Sequence, residues 1–411
     1  MRNDYPHFQL YFVSHNPLIQ WMIIFFLIFT SGVFRYKGWD PTHGGRCSYF
    51  VFLLIALYTF WQRKCLPSAG MSFKHEVIVL TLLPLLCLIT KTLVNGEPWY
   101  EECIHILHPL CFLAYFIYFI SETRENDILH AFTILGLAIF VIQIVQIITP
   151  EWAVFGINKN DEIIEMRNGI PRFRLETYFI TILCLYYYWN KMCVRLSVCN
   201  IVLFIIFFCS LYLYLTRQLI FASLVTMLCT RLFVNSSKVN IKVVCIILVL
   251  VFGLLLTYDT LFKTLTTQTV KELNTQNIRW IDLNYYWGKI CENPFSFLFG
   301  SGHLAEYKRY ANVGMYTRDI GIIGEMYHYG FLWVLMYGYI LYLILWKYRN
   351  LLPIYIKMYV FGTSVNSIFI FPYRVGMEFM IWSSVLYIAS LYISHFQKQL
   401  IETIYNEPDQ V

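Results

Sequence analysis

The sequence predicts an all-α polytopic integral membrane protein, and three observations support this fold class. Hydrophobic residues make up 58% of the 411 residues and charged residues only 14%, well below the roughly one quarter that is usual in soluble domains. Apolar runs long enough to cross a bilayer recur along the whole chain. Each run must be helical, because a helix satisfies its own backbone hydrogen-bonding groups in lipid. No repeat or polar linker interrupts the series, so residues 1–411 are predicted to form a single membrane domain.

The apolar runs predict about twelve transmembrane helices. The first run lacks a small-residue cleavage site and is followed by a second span, so we expect a retained span and no cleavable signal peptide. The twelve cysteines lie mostly inside spans, without the paired spacing of a metal site, and are interpreted as packing residues. The predicted spans are residues 17–34, 47–62, 76–94, 103–120, 129–149, 175–190, 198–215, 219–234, 240–257, 322–346, 354–371 and 375–394.

The short connectors predict which face of the membrane each loop occupies. Four of them are basic and nearly free of acids, and they alternate correctly for one cytoplasmic face. Both termini are then cytoplasmic, and the loops at about 150–174 and 259–318 lie outside, the second of them between spans 9 and 10. The outer loops nevertheless hold slightly more Lys and Arg than the inner ones, which we expect where arginines bind an anion. The basic inner connectors contain Arg63, Lys64 and Lys74; Lys191 and Arg195; Arg231, Lys238 and Lys242; and Lys347, Arg349 and Lys357.

Arginines concentrate at four outward-facing loop ends or span mouths. Guanidinium groups bind phosphate oxygens in a bidentate manner and stay charged at any working pH, so such a cluster predicts a phosphate or pyrophosphate site. Snorkelling to lipid headgroups is the alternative at each place. The residues are Arg172 and Arg174 in PRFRLETYF, Arg217 between two closely spaced spans, Arg279 in NIRWIDLNYY and Arg318 in YTRDIGIIGE.

The 259–318 loop has an informative order. A polar beginning is followed by an aromatic stretch, NYYWGKICENPFSFLFG, which predicts a helix lying on the membrane surface and ending at the GSG run 300–302. Such a loop could cover an outward-opening cavity, and its tyrosine and tryptophan faces would suit sugar rings.

Three motifs follow one another in the same order along the chain. An isolated LTR follows an apolar span, Arg279-Trp280 precedes P-x(4)-F-G-S-G, and Asp319 lies eleven positions before Gly330 in DIGIIGEMYHYG. In this order and placement the sequence, from about 167 to 346, resembles the bacterial O-antigen polymerase and O-antigen ligase superfamily. The resemblance implies a metal-independent, C-type glycosyltransferase that is multi-pass in the bacterial inner membrane. Its active site would face the periplasm and act on undecaprenyl-pyrophosphate-linked glycans.

The resemblance also implies roles for individual residues. Arg217 matches the family's arginine after the LT pair, Arg279 the loop arginine before the tryptophan, and Asp319 the polar position that opens the late span. Ligases typically have histidine at that last position, so the aspartate favours the polymerase branch. Arg172 and Arg174 resemble the basic residues of the polymerases' earlier periplasmic loop.

The implied reaction transfers a growing glycan to a sugar hydroxyl of a lipid-linked repeat unit. Arg217 and Arg279 would stabilise the departing pyrophosphate, and Asp319 would act as general base, although a helix N-cap is an equally compatible role for it. Glu325 is a carboxylate within an apolar helix and needs a partner, whereas a histidine such as His328 is more often a hydrogen-bonded core residue. The predicted substrate-binding residues are Arg172, Arg174, Arg318, Glu325 and His328.

Three alternatives stay open at this point. One is an O-antigen ligase with the same donor, and another is a lipid-linked oligosaccharide flippase, which would also need a cationic cavity. The third is a glycosyltransferase that uses a polyprenyl monophosphate sugar, with Asp40 as its acidic residue. We expect no cofactor and no metal, since His105 and His108 share a helical face without a third ligand. Membrane lipids are expected partners, a chain-length regulator protein is a candidate one, and no nucleic acid is expected.

Overall fold

The fold is seen in a computed structural model, which describes residues 17–30, 41–62, 70–94, 96, 98, 103–149, 165–167, 170–172, 177–214, 216–229, 278–303, 317, 320–368 and 376–406. The first helices are α1 (Pro17–Thr30), α2 (Pro41–Gln62), α3 (Lys74–Leu93), α4 (Cys103–Leu110), α5 (Ala114–Ile120) and α6 (Glu125–Ile148). Two short strands, β1 (Glu165–Arg167) and β2 (Ile170–Arg172), pair antiparallel. The following helices are α7 (Tyr178–Val194), α8 (Val198–Leu213) and α9 (Arg217–Leu228). The last are α10 (Ile278–Cys291), α11 (Pro294–Phe299), α12 (Ile322–Tyr329), α13 (Phe331–Tyr342), α14 (Ile354–Asn366) and α15 (Gly376–Asn406).

The described part of the chain is helical and apolar, as the sequence predicts. Within it, three helices are long and apolar enough to cross a membrane: α3, α6 and residues Met377–Gln399 of α15. Other apolar helices are shorter, at Pro17–Thr30, Tyr49–Trp61, Leu107–Ile120, Val198–Leu213, Gln218–Leu228 and Phe331–Lys347. The helical class is therefore confirmed, while the number of about twelve spans stays a prediction. The predicted span at 240–257 lies outside the described residues.

Helix α15 lies at the centre of the molecule. Its apolar segment is 78% buried, whereas less than half of α3 and α6 is buried, and it packs against α1, α4, α5 and α7. Its serines and a tyrosine make hydrogen bonds to α5 and to the residues flanking it. Small residues let helix backbones approach closely in a membrane, and hydroxyl groups can then bond across the interface. The bonds are Ser383 Oγ to Phe112 O (3.1 Å), Ser384 with Tyr118 (2.9 Å), Ser390 with Tyr115 (2.9 Å) and Tyr387 to Thr123 O (2.6 Å).

At the start of α6, Glu125 lies in a group of tyrosines. Its carboxylate accepts hydrogen bonds from Tyr355 (2.6 Å) and Tyr392 (3.0 Å), on α14 and α15. The ring of Tyr187 on α7 packs edge-on against Tyr355, and the Lys191 ammonium lies 4.4 Å from the centre of the Tyr187 ring. The carboxylate thus joins α6, α14 and α15, and the Tyr187 ring adds α7 to the group.

Two of the predicted spans are interrupted helices. Between α4 and α5 a 3₁₀ turn, Cys111–Leu113, follows Pro109, which is consistent with the loss of a helical donor at proline. The predicted span 322–346 is divided at Gly330, which has a positive φ of 87° and separates α12 from α13. A π-helical turn, Leu343–Lys347, continues α13. The aromatic stretch of the long loop is likewise two helices, α10 and α11, and not one.

Candidate functional site

The candidate site is built where the GSG run meets the break between α12 and α13. The backbone N–H of Ser301 donates to the carbonyl of Tyr327 (2.7 Å), and that of Gly302 to the carbonyl of His328 (3.1 Å). These bonds join the end of the P-x(4)-F-G-S-G motif to the end of the motif that begins at Asp319. The two motifs, which lie apart in the sequence, are therefore in direct backbone contact.

This contact depends on two glycines. Gly300 and Gly330 have φ values of 82° and 87°, in the left-handed region that favours glycine. A Cβ at Gly300 would collide with the carbonyl of His328, and one at Gly330 with the carbonyl of Leu298. A side chain at either position would force the two segments apart.

A stack of three imidazole rings lies beside this contact. The ring of His303 is sandwiched between His105 of α4 and His328 of α12, with centroid distances of 3.8 and 3.9 Å and interplanar angles of 9°. His108 packs edge-on against His105 at 5.9 Å and stacks on Tyr49 of α2. Four parts of the chain thus meet through aromatic rings; we call His105, His303 and His328 the histidine stack.

The ring of His328 is held at both nitrogens. Its Nδ1 lies 3.1 Å from the carbonyl oxygen of Gly302 and its Nε2 lies 3.2 Å from the hydroxyl of Thr317. Because a carbonyl only accepts, Nδ1 carries the hydrogen, and in the neutral ring Nε2 accepts from the Thr317 hydroxyl. The ring is buried, whereas Thr317 is half-buried. The result is a hydroxyl, imidazole and carbonyl in series.

A buried cation completes the site. Lys91, in the last turn of α3, is only 1% exposed, and its Nζ donates to the carbonyl oxygen of His303 over 2.6 Å. A lysine within a membrane-crossing helix is costly and marks a functional site by default. It places a positive charge next to the histidine stack.

Helix α10 carries Arg279 on the exterior. Arg279 and Trp280 are exposed, whereas Asp282 and Tyr286 are buried and Tyr286 packs edge-on against Tyr327 of α12 at 4.9 Å. The helix therefore packs on α12 with one face and presents its arginine and tryptophan at its surface.

The other predicted site residues are placed only in part. Glu325 is buried on α12, one turn before His328. Arg217 begins α9 and Arg172 lies in β2, paired with Glu165 along the strand, but their side chains lie outside the described residues, as do Arg174, Arg318, Asp319 and Asp40. The structure brings His328 into the site. It places Arg279 on α10, the helix that packs against α12. Convergence of Arg217 and Arg279 stays a prediction.

Sequence reasoning missed four residues of this site: Lys91, His105, His303 and Thr317. From the sequence, His105 and His108 are interpreted as a candidate metal pair that lacks a third ligand, and His328 as a core residue. Lys91 did give a signal, because a lone lysine near the end of an apolar run is unusual. Among the described residues no group of three or more His, Cys, Asp or Glu side chains is arranged to hold a metal ion.

No protein-family model matches the chain, and no curated protein is significantly similar to it. The described residues define a helical protein with three helices long and apolar enough to cross a membrane, and with a histidine and lysine cluster where a turn meets helix ends.

Proposed function

We propose that the protein is a surface-polysaccharide polymerase of the O-antigen type. In this proposal its helices form about twelve spans with the C-type glycosyltransferase architecture in the bacterial inner membrane. The active site faces the periplasm. It transfers a growing glycan from undecaprenyl pyrophosphate to a lipid-linked repeat unit, without a metal or a cofactor.

The observation that supports this proposal best is the backbone contact between the 300–302 run and the α12 end at Tyr327 and His328. The two segments carry two of the three motifs on which the family resemblance rests, and an active site requires such motifs to meet. Their junction also holds Lys91 and the histidine stack, which are groups suited to anions and to proton transfer.

In the reaction, the acceptor sugar oxygen forms a bond to the anomeric carbon of the donor glycan. The bond from that carbon to the pyrophosphate oxygen breaks, and its electron pair leaves with the pyrophosphate. Arg217 and Arg279 stabilise the charge that develops there, with Arg172, Arg174 and Arg318 as further contacts. The family resemblance gives Asp319 the role of base for the acceptor hydroxyl, and Glu325 and His328 support the substrate site from buried positions.

The test replaces Arg217, Arg279 and Asp319 singly with alanine in cells from which the native gene has been deleted. Surface lipopolysaccharide or capsule is then separated on a gel, and membrane levels of each variant are measured. A polymerase loses its ladder and leaves a core bearing one unit. A ligase instead loses all capped core and accumulates long lipid-linked chains, and a flippase leaves repeat units on the cytoplasmic side.

Arg195→Ala is the matched control, because Arg195 is exposed on a predicted cytoplasmic connector. It should leave the ladder unchanged. An intact ladder in all three site variants, at wild-type membrane levels, would overturn the proposal. A chain-length regulator is the proposed protein partner, and its deletion should change the length distribution but not polymer formation.

A further inference from the structure

His328 and Thr317 are arranged as a proton acceptor and the hydroxyl group that donates a hydrogen bond to it. The imidazole Nε2 lies 3.2 Å from the Thr317 oxygen, and Nδ1 is fixed as a donor by the Gly302 carbonyl at 3.1 Å. A hydroxyl within hydrogen-bonding reach of a base that a third group orients is the usual signature of proton transfer at an active site.

Burial distinguishes the two partners. His328 is 6% exposed, so its ring is shielded from a substrate in solution or in the membrane. Thr317 is half-buried, so the threonine is the more accessible partner of the pair. The threonine oxygen can accept a hydrogen bond while its own hydrogen points to Nε2.

We infer that the Thr317 and His328 pair takes the role of base that the resemblance gives to Asp319 and removes the proton from the acceptor hydroxyl, an inference that rests on the proposed glycosyl transfer. The acceptor oxygen gives its proton to the Thr317 oxygen as it bonds to the anomeric carbon, and the Thr317 hydrogen moves to Nε2 of His328. The pyrophosphate departs with the electron pair of the broken bond. Threonine ends neutral, and His328 ends as an imidazolium that later releases its proton to water.

Further rings and a lysine lie beside His328. His303 stacks on its face at 3.9 Å, and His105 stacks on the far face of His303. Lys91 on α3 donates a hydrogen bond to the His303 carbonyl. The imidazole of His328 is therefore enclosed on one face by the stack, and the turn that carries the middle ring is fixed by the lysine.

Other titratable groups lie on the neighbouring helices. Glu325 is buried on the same helix as His328. The ring of Tyr327 packs edge-on against the ring of His328 at 5.7 Å. Helix α10, which packs on α12, brings buried Asp282 and Tyr286. Glu325 and Asp282 are the buried carboxyl groups of these two helices.

The test uses the purified full-length protein in detergent and, as the probe, undecaprenyl-pyrophosphate-linked repeat units extracted from cells that lack this gene. Thr317→Val removes the hydroxyl with little change in shape, and Thr317→Ser restores it. We expect roughly a 100-fold lower polymerisation rate for the valine variant, within the usual contribution of acid–base catalysis, and a rate near wild type for serine. His130→Gln, at an exposed position of α6, is the control for loss of a histidine.

The pH profile of the wild-type protein gives a second readout that needs no variant to fold. A base must be deprotonated to act, so the rate should fall as the pH is lowered across the range in which histidine side chains ordinarily titrate, and not only where carboxyl groups do. Thr317→Val should lose this dependence and keep a low, flat rate. A valine variant within twofold of wild type, or a wild-type rate that is flat between about pH 5 and 8, would overturn the proton route alone. No polymer from the wild-type protein would overturn the proposed function itself.

Discussion

The side-chain nitrogen of Lys91 lies 2.6 Å from the carbonyl oxygen of His303, which is 212 residues away in the chain. This hydrogen bond fixes the turn after α11 to the end of α3. It also holds the middle ring of the histidine stack, because the carbonyl and the ring belong to the same residue. One buried ammonium group therefore determines both the position of the loop and the charge near the site.

Replacing Lys91 with methionine should loosen this turn. The variant keeps the length of the side chain but loses a hydrogen bond from a charged donor, a bond worth about 1.5–3 kcal/mol. We expect a lower thermal unfolding midpoint in detergent and faster proteolysis near residues 300–303. Lys74→Met, at the half-buried start of the same helix, is the control. Equal unfolding midpoints for the two variants would contradict the role given to Lys91.

A methyl group at Gly330 should destabilise the protein. The positive φ alone costs about 1–3 kcal/mol for a residue with a Cβ, and the Cβ would also collide with the Leu298 carbonyl. Gly330→Ala should therefore lower the free energy of unfolding by more than this range. Gly338→Ala is a sharp control, because it lies in α13 with nothing within 4 Å of its Cβ position and should be neutral or slightly stabilising. The free energy of unfolding of both variants is measured by denaturation in the same detergent, and an equal loss in the two would contradict the role given to Gly330.

The Glu125 carboxylate should matter for stability and not for the proposed glycosyl transfer. Glu125→Ala removes the acceptor of the Tyr355 and Tyr392 hydroxyls, and leaving buried hydroxyls without a partner costs about 1–3 kcal/mol. Glu125→Gln keeps an acceptor and should lose less. Thermal unfolding should rank wild type above glutamine and glutamine above alanine. Asn126→Ala, at the exposed next residue, should not move the midpoint, and a reversed ranking would refute the network.

The serine face of α15 should tolerate small residues and reject large ones. Ser384→Ala loses the hydrogen bond from Tyr118, a loss of about 0.5–1.5 kcal/mol. Ser384→Leu must also push α5 away from α15 and should lower the amount of folded protein in the membrane much further. Quantitative blotting of membrane fractions measures both effects. If the Ser384→Leu variant reached the same membrane level as the Ser384→Ala variant, the close packing of these two helices would be disproved.

Much of the helical layout is predictable from the sequence, because apolar runs and their lengths are local properties. The runs at α3, α6 and α15 predict helices that the structure also has. The break at Gly330 is different, since the glycine is required by a contact with residues around Gly300, thirty positions earlier. A local pattern contains no sign of that contact.

The candidate site was less predictable than the helices. His105, His303 and His328 each have an ordinary interpretation alone, and their stacking depends on how α4, α12 and a turn pack together. The arginines chosen from the sequence were selected for their chemistry, and only the side chain of Arg279 among them is described, at an exposed position of α10. Residue type alone indicates charged candidates, but it does not indicate neutral rings that come together only when the chain folds.

The hydroxyl bonds between α15 and the α4–α5 region also have a mechanical consequence. Sliding one helix past the other by a turn, about 5.4 Å, would break the Ser384, Tyr387 and Ser390 bonds together. The two are therefore locked in register and act as a stationary frame. Any rearrangement that opens the candidate site must be made by the helices and loops around that frame.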